Sequence, residues 1–150
     1  MHERILRIGL FLLGLPALVL GVWASAAPRS FYDDFPGAGM AWVAPDGPFN
    51  EHLVRDVGAL NLALAIVTFA AMFALGVTLV RAVLAAWLVE GTLHLVYHWG
   101  HLAPFDDADQ IAIVGSLVLV PVLAVALAFV AGLPAQPRGH RALDRAGLPR

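Results

Sequence analysis

Residues 82–102 read AVLAAWLVEGTLHLVYHWGHL, an apolar run interrupted by Glu90, His94, His98 and His101. About 20 apolar residues are enough for a helix to cross the hydrocarbon core of a membrane. At about 100° per residue, the four polar groups fall within an arc of roughly 80° on one helical face. Ionisable groups inside a span are costly, so they normally face a bundle interior or a water-filled cavity and carry function. The stretch therefore predicts a membrane helix with one functional face, without naming a substrate.

Three more apolar runs of spanning length lie at about 5–27, 52–80 and 111–133. The chain is 60% hydrophobic and 13% charged, with a mean hydropathy of +0.80. A soluble domain carries about twice that charged fraction, so the class is an all-α integral membrane protein. Its 150 residues suit one domain. The absence of cysteine excludes disulfides, thiolate metal sites, iron–sulfur clusters and covalent c-type haem. No basic stretch is interleaved with aromatics, so nothing supports a nucleic-acid partner. The expected partner is the lipid bilayer, with a homo-oligomer or a larger membrane complex left open.

These runs predict an antiparallel four-helix bundle over 1–133, followed by an Arg/Pro-rich cytoplasmic tail at 134–150 that is expected to be disordered. Between the first two spans, residues 28–50 place Phe31, Tyr32, Phe35, Trp42 and Phe49 among prolines and glycines. Aromatic rings favour the headgroup level, which predicts an ordered cap there. A turn around Arg81 joins the second and third spans, and a short acidic segment, 103–110, joins the third and fourth. Pro16 and Pro121 are expected to kink their spans, with Ser116 available to a freed carbonyl. Gly58, Ala59, Ala63, Gly76, Ala85 and Ala86 offer close helix approach.

All nine basic residues are arginine, and seven of them (Arg4, Arg7, Arg81, Arg138, Arg141, Arg145 and Arg150) fall on one side of this topology. The positive-inside rule makes that side cytoplasmic, so both termini are expected inside and the cap outside a bacterial inner membrane. A rival reading takes the first run as a signal peptide cleaved after Ala24-Ser25-Ala26. Its apolar core is longer than signal peptides usually carry.

At the outer end, His52 and Asp56 open the second span four residues apart, with Arg55 beside them. A short turn makes the second and third spans antiparallel neighbours. His52 and Asp56 are thus expected to stand across from His94, His98 and His101. Asp106, Asp107 and Asp109 lie at the same level, and Asp33 and Asp34 could reach down from the cap.

Four readings of this cluster compete. The first is a transition-metal site built from His52, Asp56, Glu90, His94, His98 and His101, since imidazole and carboxylate suit Zn, Cu or Fe. Arg55, Asp33, Asp34, Asp106, Asp107 and Asp109 would then orient the ligands or form the cap. If the site is catalytic, Glu90 or Asp56 would serve as base to metal-activated water or oxygen. Whether the chain is an enzyme stays open. The second reading is structural, with Asp56 or Glu90 paired to Arg55 or a histidine in a non-catalytic partner or scaffold subunit. In the third, His52 with His94 or His98 ligates a b-type haem. In the fourth, the row forms an outward proton or cation path.

Asn61 and Thr68 read as interhelical glue. Trp87 and Trp99 read as membrane core or interface, and Tyr97 as an anchor off the histidine face. The stretch Phe49-Asn50-Glu51-His52-Leu53-Val54-Arg55-Asp56-Val57-Gly58, followed later by His94-x3-His98-x2-His101, resembles small four-span bacterial membrane proteins of unassigned function. The likeness covers roughly 5–133. It implies a four-span fold and brings no activity.

Overall fold

The computed structural model describes residues 1–132; the expected tail, 134–150, lies outside the described residues. The order is α1 (His2–Ala26), α2 (Pro28–Asp34), β1 (Pro36–Gly37), β2 (Met40–Ala41), a 3-10 turn (Ala44–Asp46), α3 (Glu51–Ala74), α4 (Val77–Trp99) and α5 (Asp107–Gly132). Helices α1, α3, α4 and α5 are long and apolar enough to cross a membrane. Their outward faces carry large apolar side chains such as Leu60, Phe73, Ile111 and Phe129, which is compatible with contact to lipid.

Helix ends follow local chemistry. α3 starts at Asn50, whose side-chain oxygen accepts the Leu53 N–H at 3.1 Å, as an N-cap does. It stops at Leu75, which takes the left-handed conformation at φ 50° while its N–H bonds to Ala71 O. Gly76 then starts α4. The break therefore falls upstream of Arg81, which sits in the second turn of α4 rather than in the connection. Apolar residues flank Leu75 on both sides, so polarity does not mark the stop. α4 ends at Trp99, leaving His101 beyond the helix.

α1 and α3 pack antiparallel along their length. Gly21 is met by Leu62 and Gly58 by Ser25, and at either position a Cβ would collide with the backbone of the facing helix. Of the six small residues named above, only Gly58 does this; Ala59, Ala63, Gly76, Ala85 and Ala86 are exposed. Two arginines bind the pair reciprocally. Arg7 of α1 donates to Met72 O at 2.7 Å, at the end of α3. Arg55 of α3 donates to Ser25 O, at the end of α1. A helix C-terminus offers unpaired carbonyls and partial negative charge, which a guanidinium satisfies.

α4 and α5 form the second close pair, with Gly91 seated against Val120 and Pro121. Both α1 and α5 run unbroken through their prolines. Ser116 donates to its own helix at Ile113 O, 2.9 Å, and not to the Leu117 carbonyl that Pro121 leaves free. The two pairs meet over a core of Leu10, Leu13, Ala65, Val80, Leu84, Trp87, Ala124 and Leu127. This core fills the molecule from mid-height to the end bearing the α3–α4 turn.

At the opposite end a smaller cluster of Ala24, Phe31 and Val54 seats residues 28–50 on α1 and α3. Trp23 meets Phe31 edge-on at 5.8 Å, and Phe31 lies 4.8 Å from Phe35. The Tyr32 hydroxyl donates to Ala44 O and Gly47 O, tying α2 to the 3-10 turn. A tight hairpin pairs Pro36 with Ala41 and Gly37 with Met40. Its tip needs positive φ at Gly37 (103°) and Gly39 (84°), which glycine adopts without strain.

Candidate functional site

Along α4 the buried residues Val80, Leu84, Trp87 and Gly91 form one stripe facing the other helices. Stepping about 100° per residue, Glu90, His94 and His98 continue that stripe toward the cap end. The floor beneath them is one buried contact, in which Trp87 Nε1 donates to Thr68 Oγ1 at 2.9 Å. Thr68 in turn donates to Leu64 O at 2.7 Å, so both hydrogen-bonding groups are satisfied. α3 packs mainly on α1 and touches α4 much less. The Glu90 side chain is 40% exposed and that of His94 45%, although His94 falls on the stripe and Glu90 at its edge.

The row is linked in series. Glu90 Oε1 stands 3.4 Å from His94 Nδ1, and the His94 and His98 rings lie 4.9 Å apart. A carboxylate at Nδ1 favours the tautomer with its proton there and leaves the Nε2 lone pair free to accept a proton or a metal. His98 is half-buried, and its Nδ1 is enclosed without a hydrogen-bond partner among the described residues. On α3, Asn61 lies seven residues from Thr68 and so on the same face, one level nearer the cap. Its side chain donates to Val57 O within the helix at 2.9 Å.

Two contributors escaped the sequence reading. Tyr97, expected off the histidine face, meets the His98 ring edge-on at 5.3 Å and stacks on His101 at 4.1 Å and 11°. Asp46, in the 3-10 turn of the cap, comes within electrostatic range of both Tyr97 and His98. Nothing local in the sequence ties Asp46 to Tyr97 or His98, since about fifty residues separate it from them. Trp42 Nε1 donates to Asp109 Oδ1 at 2.9 Å, carrying the cap across to α5.

Other expected members stand elsewhere. His52 and Asp56 pair with each other, Nε2 to Oδ2 at 3.2 Å, with His52 86% exposed. His52 sits roughly 160° round α3 from Val54, which packs under the cap, and roughly 160° from Thr68, which meets α4. It therefore points away from His94 and His98 and does not face them as a second haem ligand would. His101 leaves the row because α4 has ended; its Nδ1 lies 2.7 Å from Tyr97 O, a carbonyl that can only accept.

Arg55 pairs with Glu51 at 2.8 Å rather than with Asp56 or Glu90. Asp106 accepts the Asp109 N–H at 2.8 Å and starts α5. Asp107 lies in the first turn of α5 and is exposed. Asp33 binds Arg29 at 2.7 Å and Asp34 accepts from Ser30 at 3.0 Å, so both serve α2. The Asp33 carboxylate, by hydrogen bond and charge, holds the exposed Arg29 guanidinium above its ordinary range. Among the described residues, no three His, Asp or Glu side chains surround a common point suited to a metal ion. Comparison with family models, with curated proteins and with solved structures finds no match to this chain.

Proposed function

We propose that this is a multi-pass membrane protein that binds a divalent transition metal from the cap side, through the row Glu90–His94–His98. The observation that carries this reading is the row's position. Two imidazoles, with a carboxylate beside them, prolong the buried stripe of α4 at its C-terminal end, where the side chains of Glu90 and His94 are partly exposed. Imidazoles at i and i+4 can chelate one ion, and imidazole suits Zn, Cu and Fe. In this reading His94 and His98 are the ligands, Glu90 orients His94, and Asp46 adds negative charge from above. The remaining coordination positions stay open to water or substrate, as in metal sites that do chemistry.

Arginine placement supports the orientation. Arg4, Arg7 and Arg81 lie at the end with the α3–α4 turn, which the positive-inside rule makes cytoplasmic, and the cap then faces outside. The antiparallel four-span bundle, the outer cap and residence in a bacterial inner membrane belong to this proposal.

Elemental analysis of the detergent-purified protein, after reconstitution with Zn, Cu or Fe and beside its visible spectrum, tests it. Near-stoichiometric metal in the wild type and its loss in the His94→Ala/His98→Ala double variant are expected, with helicity retained. Protein that stays metal-free throughout would falsify the metal reading. The second reading is then a non-catalytic partner subunit, favoured by the lack of a three-donor group among the described residues. It is tested by a larger protein copurifying with the chain.

A further inference from the structure

At the end remote from the histidine row, α1 and α3 leave an open groove of about 320 Å³ lined by Arg7, Ile8, Phe11, Met72 and Phe73. Its walls are apolar and lie on two helices long enough to cross a membrane. At its rim stands one guanidinium that is only partly used. Arg7 Nη1 donates to Met72 O at 2.7 Å and more weakly to Phe73 O at 3.4 Å. Its Nε and Nη2 donate to no described residue. Arg4 lies three residues earlier, on the neighbouring turn of the same helix, and is exposed.

From this we infer that the groove is a binding site for an anionic phospholipid, with one acyl chain against Ile8, Phe11 and Phe73 and the headgroup phosphate on Arg7 and Arg4. A guanidinium presents paired N–H donors whose spacing matches two phosphate oxygens. Here one donor is already anchored to α3, so the fork is held in place at little further entropic cost. Arg4 and Arg7 outnumber the one acid of the first turn of α1, Glu3, and that excess of positive charge selects an anionic occupant. The larger groove on α5, lined by Pro121, Val122, Val125, Ala126 and Phe129, has no charged residue and offers a lipid tail nothing for its headgroup. Lipid in the α1–α3 groove would bridge the end of α3 to the start of α1 and reinforce the contact that Arg7 makes.

The test is native mass spectrometry of the full chain from mixed micelles containing phosphatidylglycerol and phosphatidylcholine in equal amounts. Preferential retention of one phosphatidylglycerol is expected, weakened about five-fold by Arg4→Gln, the effect of one cation at an anionic surface. Phe73→Ala, which leaves both arginines in place, should also weaken retention. Arg81→Gln, at the same end but outside the groove, should leave it unchanged. Equal retention of the two lipids overturns the site, and so does an Arg81→Gln loss matching that of Arg4→Gln. Displacement of the lipid by millimolar inorganic phosphate alone would also overturn it, since the acyl groove would then contribute nothing.

Discussion

At the scale of single residues, the polar groups inside the four long helices divide into those that are satisfied and those left available. Thr68 and Trp87 belong to the first kind. Replacing Thr68 with Val removes the acceptor and strands a buried indole N–H. Hydrogen bonds between membrane helices contribute about 0.6 kcal/mol and rarely more than about 1.7 kcal/mol. Thr68→Val is therefore expected to cost about 1 kcal/mol in reversible unfolding, and Trp87→Phe additionally loses packing. Glu90, His94 and His98 are of the second kind: the first two are partly exposed, and half-buried His98 keeps an enclosed Nδ1 that meets no described partner. Their spacing was legible in the sequence because helical periodicity alone sets it. Asp46 and Tyr97 were not, since chain folding rather than spacing brings the first to α4, and helix termination turns the second toward His101.

At the scale of elements, boundaries depend on backbone groups more than on hydropathy. Leu75 ends α3 within an apolar run, and the carbonyls this exposes are met by Arg7 from another helix. Arg55 does the same for α1. Arg55→Gln is expected to fray the end of α1, seen as faster amide exchange across residues 23–29, at a cost of up to about 1 kcal/mol. The α1–α3 contact makes a sharper comparison. Gly58→Val forces a branched side chain into the Ser25 backbone and should unfold the protein at markedly lower denaturant than Ala85→Val, whose site is open. Equal midpoints for the two variants would contradict the packing described.

At the scale of the whole molecule, the larger core lies toward the end bearing the α3–α4 turn, and at the other end Trp42 ties residues 28–50 to Asp109 of α5. Trp42→Phe removes that tether and should increase modification of His98 by diethyl pyrocarbonate without changing helicity. The orientation is open to a clean assay because the chain has no cysteine. Ala38→Cys should react with a membrane-impermeant maleimide in intact cells, and Gly76→Cys only after lysis; the reverse pattern would invert the proposed topology. Sequence alone determined the helical class, the four runs able to span a membrane and the Glu90–His94–His98 periodicity, since hydrophobic length and a 100° step are local properties. Only the tertiary structure decided that α3 packs mainly on α1 and that His52 and Asp56 face away from the row. It also placed Asp46 above that row. These outcomes depend on which small residues let two backbones approach, and that is a relation between helices that no single stretch contains.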